Sequence, residues 1–181
     1  MTTHVALIRG INVGGHKMVA MSDLRDMLIA LGFADARSLL QSGNLIFRGS
    51  ARSVSRLEAM LEAEAAKRLK LTADFLIRTA DEMTAVVDAN PFPREAARDP
   101  ARLLVVFLKS APDAAAVKAL RDAITGGEVL EAKGRHAYIV YPEGIGRSRL
   151  TGALIEKKLA TRGTARNWNT VLKLAALVKP S

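Results

Sequence analysis

Cysteine is absent from the 181 residues. That removes disulfides, thiolate catalysis and Cys-ligated zinc from consideration. Aromatic residues make up only 4% of the chain. Few rings are left to stack bases, and Phe47, Phe75, Phe107, Tyr138 and Tyr141 all fall in apolar, core-like runs. The three histidines, His4, His16 and His136, have no metal-ligand spacing, and the carboxylates form no evident catalytic or metal-binding pair. No apolar run approaches the roughly 20 residues of a membrane span. The first residues lack a basic segment followed by a secretory apolar run. These absences lead to an expectation of a cytoplasmic protein with no cofactor and no metal.

Basic charge is present in excess. The formal net charge is +9, with 49% hydrophobic and 25% charged residues, so the chain is globular in composition yet strongly basic. Residues 1–90 hold 11 Lys/Arg against 10 Asp/Glu, and residues 91–181 hold 16 against 8. From Gly144 onward eight basic residues face Glu156 alone. That asymmetry points to an anionic partner, either a phosphate-bearing small molecule or nucleic acid.

Residues His4 to Arg9 read as a strand, followed by a glycine-rich loop from Gly10 to Gly15. Met21, Leu24, Met27, Leu28 and Leu31 mark one helical face, which Gly32 ends. Ala36 to Leu40 and Leu45 to Arg48 form a hairpin about Ser42-Gly43-Asn44. Ser55 with Glu58 has capping-box spacing ahead of a helix to Leu69. Ala73 to Arg78 is the next strand, and Thr79 with Glu82 repeats the capping-box pattern. This strand, helix, strand, strand, helix, strand order is the split βαβ arrangement of ferredoxin-like domains. The pattern restarts with a strand at Arg102 to Leu108 and a helix from Asp113 to Ile124. A hairpin about Gly134 and a helix capped by Ser148 follow. The expected fold class is α+β, with two ferredoxin-like halves. A C-terminal helix, from about Asn167 to Val178, stands in place of the second half's last strand. The expected division is an N-terminal half over 1–90, a linker over 91–101 and a C-terminal half over 102–181.

Two nucleotide motifs fail. Gly10-x4-Gly15 continues as His16-Lys17, one residue out of step with a P-loop. Gly144-Ile145-Gly146 opens like a dinucleotide fingerprint, but Arg149 stands at the third glycine position.

Other features survive as candidate anion sites. Arg9, Gly10, Asn12, Gly14, Gly15 and Lys17 form a strand-to-helix loop whose backbone amides are able to turn toward a phosphate. Ser148, between Arg147 and Arg149, opens a helix, where unpaired N–H groups favour anions. Arg166 and Asn167 open the last helix, and a guanidinium suits phosphate or carboxylate.

Taken together, Arg9-Gly10-Ile11-Asn12-Val13-Gly14-Gly15, Gln41-Ser42-Gly43-Asn44, Asn90-Pro91-Phe92 and Thr164-x-Arg166-Asn167-Trp168-x-Thr170 resemble the bacterial family known as domain of unknown function 1697. The resemblance runs over nearly the whole chain. It departs after Gly15, where the family more often continues Lys-Asn-Lys and this chain has His16-Lys17-Met18. It implies a soluble α+β protein with two ferredoxin-like halves and carries no activity. The Ser42-Gly43-Asn44 composition is explained by a hairpin turn alone, and the resemblance strengthens Ser42 and Asn44 as candidate residues because the family signature includes that turn.

The resulting expectation is a basic, glycine-rich cleft between the halves that binds a nucleotide-like ligand. If a reaction takes place there, phosphoryl or nucleotidyl transfer fits best, with arginines stabilising the charge. Two alternatives stand beside it: a nucleic-acid-binding module using the basic C-terminal segment, and a non-catalytic protein-interaction module.

Overall fold

The computed structural model describes residues 1–12, 18–50 and 52–179. Residue contacts divide the chain into two units, Met1–Ala85 with Leu174–Ser181, and Val86–Lys173.

In the first unit, β1 (Thr2–Ile8), α1 (Met21–Ala30), β2 (Ala34–Leu39), β3 (Asn44–Gly49), α2 (Val54–Leu69), β4 (Phe75–Thr79) and the start of α3 (Ala80–Asp88) follow in order. The strands form an antiparallel sheet ordered β2-β3-β1-β4. One sheet face carries Ala6, Ile8, Leu45, Phe47, Phe75 and Ile77, which form a core with Met21, Leu24 and Leu28 of α1 and Leu57, Leu61 and Ala65 of α2. The opposite face carries Val5, Leu7, Ile46, Leu76 and Arg78, all buried.

The helix ends follow from local chemistry. Beyond α1, Gly32 takes a φ of +86°, open to glycine at little steric cost. The chain turns there, with Phe33 N donating to Leu28 O and Gly32 N to Ile29 O. Thr79 and Glu82 form the expected reciprocal capping box at the start of α3: Thr79 N donates to the Glu82 carboxylate and Glu82 N to Thr79 Oγ1. The expected box at Ser55 and Glu58 is corrected. Ser53 caps α2 by accepting from Arg56 N. Glu58 is buried and accepts from Ile77 N at 2.9 Å, and Glu62 one turn on accepts from Phe75 N at 2.9 Å. β4 is an edge strand, so its outward amides have no strand partner, and these two carboxylates satisfy them.

The second unit repeats the plan. It contains α4 (Pro93–Arg98), β5 (Leu103–Leu108), α5 (Ala114–Asp122), β6 (Val129–Lys133), β7 (His136–Val140), α6 (Gly152–Leu159) and β8 (Gly163–Asn167). The sheet order is β6-β7-β5-β8, matching the first. α7 (Trp168–Val178) begins in this unit and its last residues belong to the first. Leu104, Val106, Leu108, Ile139 and Tyr141 form a core with Leu120, Ile155 and Leu159.

The chain is therefore α+β with two ferredoxin-like halves, and one detail of the expectation is corrected. β8 supplies the fourth strand of the second half, and the C-terminal helix follows it instead of replacing it. Gly163-Thr164-Ala165-Arg166-Asn167 lacks apolar alternation because β8 lies at a sheet edge, paired only with β5. Glu156 of α6 accepts from Gly163 N, as Glu62 does from Phe75 N. A third correction concerns Ser148. Thr151 is the cap of α6, accepting from Leu154 N, and Ser148 lies three residues earlier. No helix among the described residues is long and apolar enough to cross a membrane.

Candidate functional site

Arg9, Gly10, Asn12, Ser42 and Asn44 come together at one corner of the first sheet. The β2–β3 turn meets the end of β1 there through Ile8 N donating to Gly43 O. Asn12, at a φ of +53°, closes the loop after β1. Its Nδ2 donates to Val19 O and to Gln41 O, each at 2.9 Å, and its Oδ1 accepts from Val19 N at 2.8 Å. Both amide hydrogens are thus engaged by backbone. Buried Asn44 donates to Leu39 O and to Ser42 Oγ, fixing the turn. A Cβ on Gly43 would stand 3.0 Å from Ile11 Cδ1 and 3.1 Å from Ile8 Cβ, so the two motifs need glycine there to pack. Arg9, 39% exposed, pairs with Asp74 at 3.6 Å. Gly10 takes a φ of +69°. Gly14, Gly15 and Lys17 lie outside the described residues.

Ser148, Arg166 and Asn167 belong to the second unit. Ser148 Oγ donates to Glu128 at 2.5 Å and accepts from Leu150 N at 3.0 Å. That bond holds the Glu128 carboxyl below its usual range. Asn167 Oδ1 accepts from Thr170 N and caps α7. Arg166 is buried, donating to Thr164 Oγ1 at 2.6 Å and Ala165 O at 2.9 Å. Burial lowers its pKa to about 10, which leaves it charged at neutral pH. Sequence reasoning missed its counterpart, Arg78. Arg78 is 2% exposed and donates to Ile77 O, the carbonyl before it, as Arg166 does to Ala165 O. Val5 faces Arg78 as Val105 faces Arg166. The available signal was an arginine ending an apolar strand, directly before a helix cap.

A groove of about 690 Å³ lies in the first unit. Its lining includes Thr2, Thr3, Arg37, Arg48, Thr79 and Lys179, with Asp35 and Asp81 as the carboxylates. The strand registers place it at the far end of the sheet from the Asn12 corner, since Thr2 pairs with Gly49 whereas Leu7 pairs with Asn44. Arg48 pairs with Asp35 at 2.9 Å, and Arg37 donates to Leu177 O at 3.3 Å. The groove therefore combines three cationic side chains, three hydroxyls and two carboxylates. Sequence reasoning missed it because these residues are scattered from position 2 to 179.

One buried group stands apart. His4 lies on the helix-covered sheet face, 1% exposed, with its ring 5.5 Å from Phe47. Neither ring nitrogen has a hydrogen-bond partner. Burial lowers its pKa, partly offset by Glu82. Among the described residues no cluster of three His, Asp or Glu is placed to hold a metal ion.

No curated protein matches the chain. A solved structure of a conserved bacterial protein from Streptococcus pneumoniae is similar at 26% identity. The match has a TM-score of 0.77 and covers 98% of this chain and 99% of that one. The family model described as "Protein of unknown function (DUF1697)" matches residues 1–138. Those residues take in the glycine-rich loop, the Ser42-Gly43-Asn44 turn and Asn90-Pro91-Phe92, and the chain belongs to this family.

Proposed function

We propose that the protein binds a small phosphate-bearing ligand, nucleotide-like in size and charge, in the groove of the first unit. The observation that carries this reading is a groove of about 690 Å³ with Arg37, Arg48 and Lys179 in its lining. That volume falls in the range of small-molecule sites, roughly 300–1,000 Å³. Guanidinium forks match phosphate oxygens, and an ammonium adds a point charge. Asp35, Asp81 and the threonine hydroxyls accept hydrogen bonds from the donors of a sugar or base. This reading locates the ligand within one unit, whereas the sequence led to a cleft between the halves. It assigns binding and no reaction. Asn12 and Asn44 then serve the loop framework, and Arg166 is a buried structural cation.

Thermal stabilisation tests the reading with ATP, ADP, pyrophosphate and adenosine as probes. At a concentration a hundredfold above Kd, a ligand stabilises the native state by about 2.7 kcal/mol, a rise of roughly 5–10 °C for a chain of this length. The phosphate-bearing compounds should give that shift, and adenosine should not. Arg37→Ala with Arg48→Ala should remove it, while Asn167→Ala should leave it in place. A shift that survives the double substitution, or no shift with any phosphate compound, defeats the reading.

A further inference from the structure

The two halves differ where their first strands end. In the first half, Ile8 N donates to Gly43 O at 2.8 Å and Arg9 N to Asp74 O at 2.9 Å. In the second, Leu108 N donates to Arg135 O at 2.8 Å and Lys109 N to Arg162 O at 2.9 Å. Phe75 stands opposite Ile8, and Gly163 stands opposite Leu108. Asp74 and Arg162 therefore occupy the same place in the two repeats. Arg9 thus stands opposite an aspartate, with which it pairs, and Lys109 stands opposite an arginine. The hairpin turn brings Arg135 to the same end, beside Lys133. Lys157 and Lys158 lie in the last turn of α6, just before the Arg162 loop. Glu156 is the carboxylate of this segment, and it accepts from Gly163 N. Ser110 donates to Thr161 Oγ1 at 3.0 Å, adding two hydroxyls.

We propose that this end of the second sheet binds the phosphodiester backbone of nucleic acid, through Lys109, Arg135 and Arg162, flanked by Lys157 and Lys158. The cations come from four chain segments, which suits a polymer with repeated charges. The second unit as a whole carries 15 Lys/Arg against 9 Asp/Glu. Its rings at Phe107, Tyr138, Tyr141 and Trp168 are buried, and half-buried Phe92, just ahead of α4, is in none of the four segments that carry these cations, so the site offers no platform for a base. Binding is accordingly independent of sequence. The site is separate from the groove of the first unit, and neither proposal rests on the other.

Fluorescence anisotropy of the full chain tests this with a labelled single-stranded oligonucleotide and the matching duplex. Three neutralised phosphates give a slope of log affinity against log salt of about −2 for the single strand and about −3 for the duplex. Affinity should then fall about 20- to 40-fold between about 50 and about 200 mM salt. Arg162→Asp gives the second half the residue type that stands at the equivalent place in the first. It should weaken binding about tenfold or more and reduce the slope by about one or more. Lys109→Ala serves as a second variant should Arg162→Asp fail to fold, and Lys67→Ala, in the last turn of α2 and in neither proposed site, should bind as the parent does. Absence of binding by either oligonucleotide overturns the proposal. So does binding that Lys109→Ala and Arg162→Asp both leave unchanged.

Discussion

His4 and Asn12 show how a polar side chain inside this protein is either left bare or fully engaged. His4 has no hydrogen-bond partner and is buried against Phe47, so its charged form is disfavoured in the folded state. Its pKa is lowered, with Glu82 opposing the effect of burial. The unfolded chain therefore binds a proton more readily, near pH 6.5. Stability from the neutral form is complete above about pH 6.5 and declines as pH falls from there through the lowered folded value. His4→Leu should flatten this dependence between about pH 7 and pH 5, as read from urea midpoints at each pH. An unaltered slope would sink the idea. Asn12 is the opposite case, with three hydrogen bonds to backbone. Asn12→Ala removes them and places alanine at a positive φ, which should cost about 2–4 kcal/mol in denaturant unfolding.

At the scale of elements, carboxylates on helices close the outer edges of both sheets. Glu58 and Glu62 of α2 accept from alternate amides of β4, and Glu156 of α6 accepts from Gly163 N at the start of β8. Glu58→Ala leaves the Ile77 amide buried without that acceptor, and should cost about 1–3 kcal/mol. The check is faster hydrogen exchange at Ile77, together with a lowered denaturant midpoint. Exchange unchanged at Ile77 would show that another acceptor takes over. The helix caps follow ordinary rules: Asn167→Ala should lower stability by about 1 kcal/mol and Asn167→Asp by less, since an aspartate also accepts from Thr170 N.

At the scale of the whole molecule, the first unit is built from both ends of the chain. Leu174, Ala175 and Val178 of α7 are buried, and Leu177 and Lys179 line the groove. Removing residues 174–181 takes two large apolar side chains out of the core, a loss of about 3–6 kcal/mol. It should also abolish the thermal shift with phosphate compounds. Calorimetry of the truncated chain checks both, and an unchanged melting temperature would contradict the first. The net charge of +9 acts at this scale too, favouring encounter with polyanions at low salt.

The repeated strand and helix order is legible along the chain, because apolar periodicity, the Thr79–Glu82 box and the turn glycines are local signals. The sequence also marked the Gly10 and Ser42 motifs, which do meet, at Asn12 and Gly43. It missed β8, whose edge position relaxes the apolar alternation that identifies a strand. It misread Glu58 and Ser148, since spacing alone does not distinguish a capping carboxylate from one that accepts from a strand amide, nor a capping hydroxyl from one three residues earlier. That Asn12 engages the backbone of Gln41, that Arg78 and Arg166 are equivalent buried cations, and that Arg37, Arg48 and Lys179 line one groove is visible only in the folded chain. Those facts depend on strand pairing between distant segments, and pairing of that kind leaves no periodic trace along the chain.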